Sequence, residues 1–264
     1  IPDSLSLVAG YQSTHLTTVN KNKVTQAATE VRTTGEPYRV GVVYKPRSVK
    51  GLAFYVNNST MFQGGGARTP DGRILPPLIG EVKEIGIKTD LYEGRISSTI
   101  SLFDLTVANV PVPRTDPVTG ITANFPSGQQ RNKGFEFDLA VRPVRDWTIM
   151  AGIYQGDIIG QNGLRQANTI NKSHNALTRY DFSSGGLKGL FVGASTFGRG
   201  DRSGAAWPAF DVYNAMFGYS HKSWAVVVNI ENLADRVYSE GGWGTILKEL
   251  GRPRNAKVTF GYNF

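Results

Sequence analysis

The sequence predicts an all-β chain folded as an antiparallel transmembrane β-barrel with about twelve strands present. Three observations carry that prediction. First, the last ten residues, Asn255 to Phe264 (NAKVTFGYNF), alternate strictly. Ala256, Val258, Phe260, Tyr262 and Phe264 are apolar; Lys257, Thr259, Gly261 and Asn263 are small or polar. Such alternation makes a strand with one apolar and one wet face, and about ten residues is the length of a tilted membrane-crossing strand. Taken alone, the stretch also fits the half-buried final strand of a soluble sandwich. Second, the connections between predicted strands alternate in length. They are short at 45–51, 92–95, 143–146, 183–189 and 220–223, and long at 12–37, 63–80, 111–130, 159–172, 198–208 and 233–254. Membrane barrels keep short turns at one end and long loops at the other, whereas a sandwich has no reason to hold that parity. Third, Lys88, Glu136 and Asp138 fall mid-strand on the non-apolar face; alone this fits the wet face of a sandwich equally, and with the length parity it favours a polar lumen.

The elements follow in order. Leu5 to Tyr11 alternates and reads as the first strand; the Thr-, Asn- and Lys-rich stretch from Gln12 to Pro37 reads as a loop. Arg39 to Tyr44 and Leu52 to Phe62 are a pair of strands across a short turn, followed by a Gly-rich loop containing GGG and PDG. Glu81 to Leu91 and Arg95 to about Val107 are joined by Glu93-Gly94. Pro111 to Gln130, with three prolines near its start, reads as a loop. Gly134 to Val141 and Trp147 to about Ile158 form the next pair. Ser173 to Phe182 and Leu190 to Phe197 are linked by SSGGLKG. Phe210 to Tyr219 and Trp224 to Asn232 are linked by a turn at His221-Lys222. Leu233 to Arg254 reads as a loop before the last strand. Helical periodicity is nowhere sustained.

Composition narrows the function classes. With 264 residues and no cysteine, the chain has no disulfide framework, thiolate metal site or Cys nucleophile. No run of 18 apolar residues is present, so no helix is predicted to cross a membrane. Gly 31 and 11% aromatics suit a β protein with tight turns and interfacial rings. The formal charge of +8 is scattered, without Lys/Arg runs, and points to anionic headgroups or ligands, not nucleic acid.

From Trp224 onward the sequence resembles TonB-dependent outer-membrane receptors. WAVVVNIENLADRVY followed by GRPRNAKVTFGYNF is similar to that family's final hairpin, through Asn229, Ile230, Asn232, Leu233, Asp235, Tyr238, Gly251, Pro253 and Arg254. The strands at Glu81 to Phe103 and Asn132 to Ile153 resemble its "E-x-G-x-K" and "(S/K)-G-x-E" segments. Val40 to Phe62 resembles the "G-x-x-Y-x-P" hairpin of the ferric-siderophore branch. The likeness covers most of residues 38–264. It implies a 22-stranded barrel around an N-terminal plug, of which 264 residues hold only part: a single barrel region over 1–264, the carboxyl-terminal portion, with the plug absent. It further implies uptake of a ferric siderophore as ligand, without a covalently bound cofactor, and a bacterial outer-membrane location. The implied partners are TonB through the missing region, the missing plug and barrel half, outer-membrane lipid and lipopolysaccharide, and the barrel assembly machinery. That machinery would read Phe260, Tyr262 and Phe264.

The candidate ligand contacts are basic and aromatic residues of the long loops: Arg68, Arg73, Arg165, Arg199, Arg202, Trp207, Tyr238 and Trp243. Charge-assisted and cation–π contacts would hold an anionic ferric chelate; interfacial girdles and lipopolysaccharide phosphates are their alternative employment. Glu231, Asn229 and Asn232 are expected to hold the last hairpin. Catalysis is a poor fit. Ser173 and His174 are adjacent on a strand and point to opposite faces, and GGG at 64–66 precedes no helix that would cradle phosphate. A passive pore and a barrel lipase remain as alternative classes.

Overall fold

The computed structural model describes residues 4–21, 23–26, 28–64, 74–115, 120, 122–204, 208–243 and 247–263. Sixteen strands follow in chain order among them: β1 (Leu5–Tyr11), β2 (Thr14–Lys21), β3 (Ala28–Gly35), β4 (Tyr38–Tyr44), β5 (Leu52–Gln63), β6 (Leu78–Leu91), β7 (Ile96–Thr115), β8 (Thr122–Val141), β9 (Trp147–Ile159), β10 (Lys172–Asp181), β11 (Leu190–Arg199), β12 (Phe210–His221), β13 (Trp224–Glu231), β14 (Ser239–Trp243), β15 (Leu247–Leu250) and β16 (Asn255–Tyr262). Twelve of them make one antiparallel sheet in the order β1-β4-β5-β6-β7-β8-β9-β10-β11-β12-β13-β16. Each main strand therefore pairs with its neighbour in the chain, as short hairpin turns dictate. Among the described residues no pairing joins β1 to β16, so each presents a free edge.

The register places every second side chain of all twelve strands on one shared face. One row runs Phe54–Ile87–Ile100–Phe137–Ile153 across β5 to β9. Another runs Tyr180–Val192–Phe217–Val228–Val258 across β10 to β16. Val258, Phe260 and Tyr262 lie on this apolar face, opposite Val228, Val226 and Trp224. Lys257 and Thr259 lie on the other, opposite Asn229 and Val227. The polar face carries the row Tyr55–Gly86–Ser101–Glu136–Tyr154.

The two faces are crowded unequally. Ser101 (4% exposed), Phe191 (5%) and Val212 (2%) on the polar face are buried, while Ile85 (58%) and Leu102 (59%) on the apolar face are open. A sheet curved toward its polar face produces this difference, because side chains converge on the concave side. Glycines supply the room. A Cβ on Gly134 would lie 2.2 Å from the Gln155 carbonyl oxygen and 2.8 Å from the Phe103 ring; one on Gly86 would lie 2.5 Å from the Tyr55 ring. Aromatic rings on the concave face are seated over mid-strand glycines, a use of glycine beyond the tight turns expected from composition.

The length parity holds, with refinements at both ends. The turn at Tyr92-Glu93-Gly94 runs through φ of 53°, 59° and 83°; Gly94 takes the last of these left-handed positions without Cβ strain. The 183–189 turn contains a 3-10 turn, Gly185–Leu187. His221 ends β12 instead of lying in the turn. Three predicted loops hold ladders. Residues 12–37 contain the β2–β3 hairpin, and 233–254 contain β14–β15. Within 111–130, β7 and β8 continue as a two-stranded ribbon in which Pro111 stands opposite Pro126. Proline is tolerated there because both strands are edges. A bulge between Val107 and Val110 marks the departure from the sheet; Asn109 sits in it at φ 62° and donates to the Pro77 carbonyl at 2.8 Å. Of the apolar residues in THLTTVNK and ATEVRTTG, Leu16 and Val19 are exposed and Val31 is buried (4% exposed), so hydrophobic alternation does not announce the hairpin. The last strand ends at Tyr262, and Phe264 lies outside the described residues.

Candidate functional site

Two surfaces could meet a solute: the concave face and the crown of long loops above it. On the concave face the Tyr55 hydroxyl donates to the Glu84 carboxylate, and the Lys88 ammonium lies 5.0 Å from the Tyr55 ring centroid. Glu136 and Asp138 stand exposed on the same face. Further round the sheet, Arg179 forks onto Asp181 at 2.6 Å and lies 3.9 Å from the Phe191 ring centroid. The lumen is thus wet, charged and ordered by aromatic rings.

The crown is built on the connection from β13 to β16. Asn232, 1% exposed, is its keystone. Its side-chain amide donates to the carbonyls of Arg236 (2.9 Å) and Arg252 (3.0 Å) and accepts from the Arg236 amide (2.9 Å). Its own backbone amide donates to Asn214 Oδ1 at 3.0 Å. Asp235 Oδ1 accepts from the Arg254 amide at 2.8 Å. Tyr238 packs at 4.7 Å from the Phe210 ring and 6.1 Å from Phe197. A Cβ on Gly251 would stand 2.0 Å from the Tyr238 ring, so only glycine leaves that ring its seat. The expectation that Asn232 holds this hairpin is met; Glu231 adds a bond from Asn255 Nδ2 at 3.1 Å.

Four of the eight candidate ligand contacts meet at one joint. Arg199 and Arg202 both donate to the Glu240 carbonyl, at 3.3 and 2.7 Å. Arg202 also reaches Asn168 Oδ1 at 3.2 Å. Arg165 donates to the carbonyls of Thr169 (2.8 Å) and Asp201 (3.3 Å) and pairs with Asp157 at 3.5 Å. The Tyr238 hydroxyl donates to Glu240 at 3.1 Å; burial first, and then that carboxylate, push its phenol above the ordinary value. These arginines staple three loops together through backbone carbonyls. Trp243 closes the β14 ladder opposite Leu247. Arg68, Arg73 and Trp207 lie outside the described residues. Beside the joint is a cavity of about 340 Å³ lined by Val212, Asn214, Glu231, Asn232, Tyr238, Glu240 and Arg252. Glu240 and Arg252 were not anticipated, and no spacing in the sequence signals them. Among the described residues no cluster of His, Cys, Asp and Glu could hold a metal ion.

The family profile described as TonB dependent receptor-like, beta-barrel, matches residues 2–233. The chain belongs to this family of TonB-dependent receptors. Membership places it in the bacterial outer membrane. Curated relatives of this receptor chain include the metal-pseudopaline receptor CntO of Pseudomonas aeruginosa, 26% identical over 96% of this chain and 37% of that protein. Another is the ferric-pyoverdine M114 receptor PbuA of a Pseudomonas species, 29% identical over 97% of this chain and 34% of that protein. The fold matches the ferripyoverdine receptor FpvA of Pseudomonas aeruginosa bound to heterologous pyoverdine, with a TM-score of 0.84, 20% identity and coverage of 100% of this chain and 37% of that one. The receptor chain spans about a third of the length of the relatives it matches, and its twelve strands correspond to a sector of their barrel.

Proposed function

We propose that this chain is the carboxyl-terminal part of a 22-stranded outer-membrane receptor that takes up a ferric siderophore with energy delivered through TonB. The observation that supports this best is the division of one sheet into a continuous apolar outer face and a charged concave face, crowned by an arginine-rich joint of loops. Relatives whose names specify metal-pseudopaline and ferric-pyoverdine support a metal chelate as cargo. Residues 1–264 form one barrel region. The plug and remaining strands belong to sequence outside it, and through that region TonB acts. The free edges of β1 and β16 take the missing strands, since unpaired backbone groups in lipid cost several kcal/mol each.

In this reading Arg68, Arg73, Arg165, Arg199, Arg202, Trp207, Tyr238 and Trp243 form the rim that meets an anionic chelate. Arg165, Arg199 and Arg202 act chiefly by fixing loop positions, because their guanidinium donors are engaged by carbonyl oxygens. The assembly machinery reads the terminal strand through Phe260, Tyr262 and Phe264. No step is chemical: the receptor binds and passes its cargo.

The test joins this chain to its upstream sequence in an iron-starved strain lacking its own siderophore receptors. Uptake of a labelled ferric siderophore that disappears without TonB supports the proposal; no uptake across a broad siderophore panel overturns it. A titration of the 264-residue chain alone sharpens it. Binding should be weaker than in the joined form by orders of magnitude, each 1.4 kcal/mol being tenfold. Micromolar binding by the chain alone would instead indicate a self-closed barrel with a complete site.

A further inference from the structure

The turn between β4 and β5, KPRSVKG at 45–51, is anchored to the strands on both sides of it. The Lys45 amide donates to the Ser4 carbonyl at 2.6 Å, just before β1. The Asp90 amide, near the end of β6, donates to the Gly51 carbonyl at 2.7 Å. Within the turn the Val49 amide donates to the Pro46 carbonyl at 3.3 Å, and the Leu52 amide to the Val49 carbonyl at 3.4 Å. Gly51 stands at φ 82°, and a Cβ there would lie 1.9 Å from the Asp90 carbonyl oxygen. Only glycine lets turn and strand meet so closely.

The anchored turn closes a cavity of about 760 Å³ against the concave face, where Val43, Ala53, Lys88 and Thr99 form the other wall. Four exposed cations line it: Lys45, Arg47 and Lys50 from the turn, and Lys88 from β6. Register brings two of them together. Ala53 stands opposite Lys88, and Lys45 follows Tyr44, which stands opposite Phe54. Lys45 and Lys88 therefore flank the small Ala53 two strand spacings apart, about 10 Å at the backbone. Asp90 is the one carboxylate among the described lining residues, and its Oδ1 points toward the neighbouring turn, 3.7 Å from where a Gly94 Cβ would stand. Among the described residues no carboxylate lies within ion-pair distance of the Lys45, Lys50 or Lys88 ammonium. Like charges held around one cavity repel, and an anion that enters relieves the repulsion and takes up ammonium donors.

We propose that the 45–51 turn and the concave wall facing it form a binding site for one small polyvalent oxyanion, of the polyphosphate or polycarboxylate class, free in the periplasm. The cavity has the size of a small-molecule site. It opens on the concave side of the sheet, away from the apolar face, so a bilayer headgroup does not reach it. Lys45, Lys50 and Lys88 supply charge-assisted bonds to the anion, and the anchored turn holds two of these lysines in place before it arrives. The site goes beyond the transport reading and rests on it only for the side of the membrane, since short barrel turns are periplasmic.

The experiment titrates pyrophosphate, by calorimetry at low salt, into the receptor joined to its upstream sequence and purified in mild detergent. Wild type should bind one pyrophosphate per receptor. Lys45→Gln/Lys50→Gln should bind it about a hundredfold more weakly, tenfold for each charge-assisted bond lost, and Lys45→Arg/Lys50→Arg should recover most of the affinity. Gly51→Ala keeps every charge but displaces the turn, and should weaken binding about tenfold or more. Lys188→Gln/Lys222→Gln, in two other short turns, should bind as wild type does. Heat-modifiable migration identifies folded protein in each case. No binding by wild type, several equivalents bound alike, an equal loss from the Lys188 and Lys222 pair, or wild-type affinity in Lys45→Gln/Lys50→Gln or Gly51→Ala would overturn the proposal. Phospholipid bound in the site that pyrophosphate does not displace would overturn it too. Pyrophosphate held at one per receptor without TonB-dependent uptake would sink the transport reading and leave this site standing.

Discussion

Ile100 and Thr99 are neighbours in the chain and face different worlds. Ile100 stands in the middle of the apolar outer face, between Ile87 and Phe137; Thr99 stands between Lys88 and Asp138 on the concave one. At mid-membrane the outer face is exposed and needs only apolarity. The concave face and the crown are specific, because crowding seats each ring over a glycine and buries polar atoms that must be paired. One sheet thus carries a permissive surface and an exacting one, and period-two register alone keeps them apart.

Substitutions can break that contrast in graded fashion. Ile100→Arg should cost most, about 2–4 kcal/mol as for a charge at the bilayer midplane, whereas Thr99→Lys should be tolerated within about 1 kcal/mol. Urea titrations of refolding into lipid would measure both, and equal costs would mean that the faces are misassigned. Asn232→Ala should follow at about 2–3 kcal/mol, since it leaves the Arg236 and Arg252 backbone groups without their buried partner. Its signature is proteolysis of the 233–254 segment with the barrel band intact on unheated gels. Gly134→Val should cost about 1–3 kcal/mol by overpacking, because the Gln155 carbonyl is backbone and cannot yield. Phe103→Ala in the same chain should recover only the part due to the ring, read by the same titration. Tyr238→Phe should be mildest, about 0.5–1.5 kcal/mol for the bond to Glu240. Retention of the ring on Gly251 keeps the crown closed, and ferric-siderophore affinity of the joined receptor should change less than threefold.

The same contrast explains what the sequence discloses. The twelve main strands were legible because one face is uniformly apolar and alternation exposes it. The last hairpin was legible because Asn232, Asp235, Tyr238 and Gly251 form a local pattern, and the structure supplies its reason in one hydrogen-bonded joint and one ring seat. The hairpins β2–β3 and β14–β15 and the outer part of β7–β8 were hidden because their polar, Thr-, Asn- and Gly-rich sequences carry no sustained period-two signal; the four prolines of 111–130 argued the wrong way. The meeting of Arg165, Arg199 and Arg202 with Glu240 was hidden for another reason. Arg165 reaches Asp201, and Arg199 and Arg202 reach Glu240, so it joins residues up to 41 positions apart through backbone carbonyls, which carry no residue signature.

The ribbon formed by β7 and β8 has a consequence of scale. Each strand runs for 20 residues, and crossing the hydrocarbon takes about 9–11. Some ten residues per strand therefore continue outward, roughly 30 Å at about 3.3 Å per residue. The ribbon is a mast. The paired ends of the ladder, Thr115 and Thr122, are carried toward the height of the cell-surface sugars, within reach of a bulky visitor such as an antibody. An epitope tag inserted there should be stained on intact cells, while the same tag in the turn at 143–146 should be reached only after the outer membrane is opened.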